Sequence, residues 1–188
     1  MSKQSIIVRK LALAALFASM GVLLKIFSIT TAGFRLALFD SVLIFSGMVL
    51  GPLYGLAVGF IVDILEYFLL QRGFPFSFMI LSGTMLTGFI PGLIFLSHRN
   101  KEKVPYVRII LSVILATTTA YTINTLYFYL VMGMGFLNTL PARTIALLIK
   151  WPLYSVMLPI LYQVYLKHSQ LKDNRLYVNK NKFEELDV

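Results

Sequence analysis

Six long, nearly uninterrupted apolar runs organise this chain, at roughly 8–28, 39–51, 53–71, 77–97, 106–132 and 141–166. A bilayer core about 30 Å thick needs roughly 20 apolar residues per helix, so most of these runs are long enough to cross it. Strands of a membrane barrel would instead alternate in segments of about ten residues, and these runs do not. Composition agrees: 58% of the 188 residues are hydrophobic and 13% charged, whereas soluble domains sit near half and a quarter. The fold expected is an all-α integral membrane protein of six transmembrane helices. The second run is short and would have to tilt, or extend through the "GPLYG" bend that Gly51 and Pro52 mark.

Lysine and arginine set the orientation. Lys3, Arg9 and Lys10 stand before or at the start of the first run. His98, Arg99, Lys101, Lys103 and Arg108 surround the loop between the fourth and fifth. Lys167, Lys172, Arg175, Lys180 and Lys182 follow the sixth, whereas the opposite loops hold only Arg35 and Arg72. Six spans place the basic clusters on one side, expected to be the cytoplasm, with both termini inside. Residues 1–166 then form one membrane domain and 167–188 a basic cytoplasmic tail, as a frayed helix or disordered. The first run resembles a signal peptide but is long and followed by further spans, so a retained helix is expected. With no cysteine, disulfides, thiolate metal sites and cysteine catalysis are excluded. The two histidines, His98 and His168, lie in or beside cytoplasmic segments. No HExxH, serine–lysine or GxxxxGK[ST] pattern is present, so neither an enzyme nor a cofactor is expected.

Five ionisable residues within the apolar runs are singled out: Lys25, Asp63, Glu66, Arg143 and Lys150. A charge at mid-bilayer costs at least about 2.5–3.5 kcal/mol, so such groups face a cavity or a partner. All five fall at the centre or in the outer half, which describes a pocket open to the outside and closed below. Arg143 and Lys150, seven apart, share one helical face. Counted this way, cations outnumber acids and await an anion, with Arg143 as a planar fork and Lys150 as a point charge. Asp63 and Glu66 are three apart, and a carboxylate there can accept parallel hydrogen bonds from an amidine-like ring edge. Phe34, Phe39, Phe74, Phe76 and Phe78 cluster near the outer loops, as covers for a flat ligand or as an interfacial aromatic belt. Trp151 points about 100° away from Lys150, to line the pocket or pack on a neighbour. The competing reading is a set of structural salt bridges, for instance Asp63 with Lys150.

Small residues recur at helical spacing. Ala14 and Ala18 form one pair, and Gly51, Gly55 and Gly59 repeat every four residues. Such rows let helix backbones approach closely, either within the monomer or against another protein.

Together these residues resemble the substrate-binding subunit of an energy-coupling factor vitamin transporter. The features are six spans, Ala14-x-x-x-Ala18, and a compact chain. The segment "FRLALFDSVLIFSGMVLGPLYGLAVGFIVDIL", with its "GP" bend and Asp63, and the segment "LPARTIALLIKWPLYSVMLPIL", with Arg143, Lys150 and Pro152, are similar to the folate-specific branch. The resemblance spans residues 8–166. The chain departs from the branch at "FPFSF", where a proline-glycine-phenylalanine run is usual, and at Asp40-Ser41, where a proline is usual. The resemblance implies a non-enzymatic, multi-pass subunit in a bacterial cell membrane. It would bind folate from outside and associate with a membrane coupling protein and two ATPases. Toppling in the membrane would then release the vitamin inside. It gives Ala14 and Ala18 to the coupling protein. For the ligand, it gives the glutamate carboxylates to Arg143 and Lys150, and the pterin edge to Asp63 or Glu66. Riboflavin or another vitamin, and a purely structural membrane protein, are the alternatives.

Overall fold

The computed structural model describes residues 3–31, 34–36, 38–70, 76–96, 104–131, 133 and 136–184. They form six helices and one hairpin: α1 (Lys3–Ile26), β1 (Ile29–Thr31), β2 (Phe34–Leu36), α2 (Phe39–Leu50), α3 (Pro52–Leu70), α4 (Phe78–Leu96), α5 (Tyr106–Leu130) and α6 (Phe136–Glu184). Five of the helices are long and apolar enough to cross a membrane, and the chain is a multi-pass membrane protein. The antiparallel hairpin, registered Ile29 to Leu36 and Thr31 to Phe34, is an addition to the all-helical expectation. The segment after the sixth apolar run continues α6 without a break to Glu184. Arg72, Phe74 and the basic cluster 98–103 lie outside the described residues, as do the side chains of Phe34 and Arg35.

The centre of the bundle is built on backbone contact. α4 packs against α2, α3 and α5. Gly47 on α2, Gly55 and Gly59 on α3, and Gly88 and Gly92 on α4 bring the three backbones together. A Cβ on Gly59 would sit 2.7 Å from the Thr84 carbonyl oxygen, and one on Gly55 or Gly47 would collide with the Gly88 carbonyl. The glycine row therefore serves packing within the monomer. Gly51 is the exception: it faces open space and takes φ 99°, a left-handed value that glycine adopts without strain. It ends α2, and Pro52 starts α3 where its missing N–H costs nothing. The apolar run does not extend through the bend.

That break also keeps α2 short. α2 has 12 residues and so is about 18 Å long, short of a core about 30 Å thick. Its first turn meets Lys150 on α6, seven residues or about 10 Å beyond Arg143, where the apolar stretch of α6 begins. The start of α2 therefore meets α6 about two turns along from Arg143. The β1–β2 hairpin is the segment that leads into it, and β2 packs on α6.

Candidate functional site

The start of α2 is where the buried charges gather. Lys25, near the end of α1, points toward α3. Its ammonium donates to Asp63 and lies 2.6 Å from Glu66. Thr84 on α4 adds a hydrogen bond of 3.0 Å to Asp63. Lys25 and Asp63 are only 2% and 7% exposed, and the ring of Phe39 lies 4.9 Å from the ammonium. One residue further along α2, Asp40 accepts a 2.6 Å hydrogen bond from Lys150 and a second from the Tyr154 hydroxyl. Consecutive residues of α2 therefore join two ionic groups, one built on α1, α3 and α4 and the other on α6.

This arrangement changes the balance of the named charges. Asp40 joins the five residues singled out from the sequence, which makes three acids against three cations in that set. Asp63 pairs with Lys25 rather than Lys150, because α3 packs on α1 while α6 packs on α2 and α5. Asp63 and Glu66 are both engaged by Lys25. A signal for Asp40 was present in the sequence: it is an acid at the start of an apolar run.

Arg143 lies with its guanidinium carbon 3.9 Å from the Phe128 ring centre, a cation–π contact to α5. Next to it, Thr144 and Tyr121 share a 3.0 Å hydrogen bond. Beside this contact a groove of about 620 Å³ opens between α5 and α6, with Tyr121, Thr125, Tyr129 and Leu140 among its walls. Trp151 donates to Thr117 at 3.1 Å and packs on the core between α2, α4, α5 and α6. Phe76 stands in an edge-to-face chain, 5.2 Å from both Tyr67 and Phe78, on the far side of the bundle from α6. Phe78 is largely exposed, as an aromatic belt requires.

The structure places Ala14 and Ala18 inside the protein, 9% and 4% exposed, in a core with Val22, Phe39, Leu43, Val58 and Val62. Their side chains are turned toward α2 and α3 within the monomer. Ala14→Trp is therefore expected to act as an overpacking mutation. It should cost about 1–3 kcal/mol or more, read as a fall in melting temperature in the purified chain. A surface role would leave that temperature unchanged.

The family model for the substrate-specific component of ECF transporters matches residues 9–162. The chain belongs to this family. Substrate-specific components bind a solute and do not transform it, so the ionic groups around α2 belong to a binding subunit rather than an enzyme. Among curated proteins, none matches the sequence. Among solved structures, one of FolT bound with folic acid is similar to this ECF component at a TM-score of 0.72 and 20% identity. The match covers 83% of this chain and 95% of that one. At that identity the likeness is one of fold.

Proposed function

We propose that this ECF component captures folate from outside the cell and delivers it inward by toppling, after docking to a membrane coupling protein and its two ATPases. The observation that carries the reading is the face of α6 on which Arg143 and Lys150 stand at two depths, about 10 Å apart. Leu140, three residues before Arg143, is the α6 wall of the groove that Tyr121 and Tyr129 also line, in a fold shared with a folic-acid-binding relative. Folate carries two carboxylates and flat rings. The carboxylates suit Arg143 and Lys150, and the aminobenzoyl ring suits the tyrosine-walled groove. Glu66, the less buried of the two acids on Lys25, is the better placed to accept from a pterin edge. Trp151 borders this region, whereas Phe76 stands with Tyr67 and Phe78 on the α3–α4 side.

In this reading both termini are cytoplasmic, the hairpin end faces out and the host is a bacterium. Residues 1–166 are the binding domain and the basic stretch after it lies at the cytoplasmic surface, where anionic lipid favours it. With Ala14 and Ala18 turned inward, docking to the coupling protein falls to the exposed strip beside them, with Ala15 and Ser19.

The test is a titration of the purified chain with folic acid, riboflavin and thiamine. It is followed by the emission of Trp151, the single tryptophan, and by melting temperature. Folic acid is expected to change both. Arg143→Ala and Lys150→Ala are each expected to weaken binding about 10- to 100-fold, the loss of a charge-assisted hydrogen bond. A response to riboflavin alone would move the substrate and keep the family. A chain that responds to no vitamin would refute the reading.

A further inference from the structure

The geometry points to a carboxylate receptor on α6 made of Lys150 and Tyr154, with Asp40 as its resident stand-in: an anionic solute binds by taking the place of Asp40. This rests on the reading that the chain binds a carboxylate-bearing solute, and deepens it.

Lys150 and Tyr154 are four residues apart and therefore neighbours on one face of α6. Both donate to a single carboxylate, the ammonium at 2.6 Å and the phenol beside it. The carboxylate they hold belongs to the protein, and it shows what the two donors accept: one anionic oxygen group in a low-dielectric site. Tyr154 has no exposed surface, so the solute group reaches the phenol only where Asp40 withdraws.

Two features distinguish this pair from the other ionic group. The Lys150 and Asp40 side chains are 17% and 11% exposed, against 3% and 8% for Lys25 and Asp63. Asp63 is also held by Thr84 from a third helix, whereas the known partners of Asp40 both come from α6. Moreover, Asp40 sits in the first turn of α2, four residues after β2 ends at Leu36, and β2 packs on α6. Exchange at Lys150 therefore acts on the ionic contact between the start of α2 and α6.

Asp40→Asn tests this directly. In the purified full chain it removes the internal competitor and leaves Lys150 without a counterion. Its melting temperature is expected to fall and to recover with millimolar glutarate but not with chloride at matched ionic strength, while the wild type responds to neither. Its affinity for folic acid is expected to rise about five- to tenfold, the weight of a modest ion pair. Tyr154→Phe keeps the charge pair and is expected to weaken folic acid about fivefold. It serves as the deciding variant if Asp40→Asn does not fold. Folic acid binding that is unchanged or weaker in Asp40→Asn, with no rescue by glutarate, overturns the receptor and leaves the folate reading standing. So does Tyr154→Phe with unchanged affinity. Rescue by glutarate in a chain that ignores folic acid keeps the receptor and overturns the folate reading.

Discussion

Gly88→Leu is expected to leave no folded bundle. Gly88 faces Gly55 across the α3–α4 contact, and a Cβ there would run into the Gly55 backbone, not into a side chain that can turn away. Gly47 on α2 meets the Gly88 carbonyl from the other side. One residue therefore sits between two neighbouring backbones. Overpacking in a close-packed interior costs about 1–3 kcal/mol where side chains can shift. Here only whole helices can shift, so the cost exceeds that range. Gly88→Ala should already lower the melting temperature, and Gly88→Leu should give only aggregated protein by size-exclusion chromatography in detergent. A monodisperse Gly88→Leu protein with near-native stability would show that α2, α3 and α4 do not meet in this way.

Lys25→Met comes next in expected effect. It strands two carboxylates, Asp63 and Glu66, that share the one ammonium. Breaking a buried pair by removing one partner costs about 3–5 kcal/mol, because the remaining charge is left without compensation. For a chain of this size that corresponds to a fall of about 10 °C or more in melting temperature. The triple variant Lys25→Met, Asp63→Asn, Glu66→Gln removes all three charges together and is expected to regain most of the loss, since neutral replacement of a whole buried ionic group is often tolerated. If Lys25→Met alone melts like the wild type, the ammonium does not neutralise these acids.

Both predictions concern features that were partly legible in the chain. The apolar runs were enough to locate all six helices, because span length and helix period are local properties. The same periodicity also orients α1. Ala14, Ala18 and Lys25 lie at i, i+4 and i+11, on one face of α1. A lysine in lipid turns inward, so the alanines beside it turn inward too, and the structure buries all three. The hairpin carried no comparable signal, since its three-residue strands are too short for a period to show.

The sequence by itself determined the membrane class, the six helices, the family resemblance and the set of charges that cannot face lipid. Those follow from composition and from spacing along one helix. Only the tertiary structure decided which charge meets which, and that Asp40 is bound to Lys150. Asp40 and Lys150 are 110 residues apart in the chain, and α1 meets α3 across an intervening helix. Such pairings depend on the order in which helices pack around the glycine contacts. No periodicity within a single helix encodes that order.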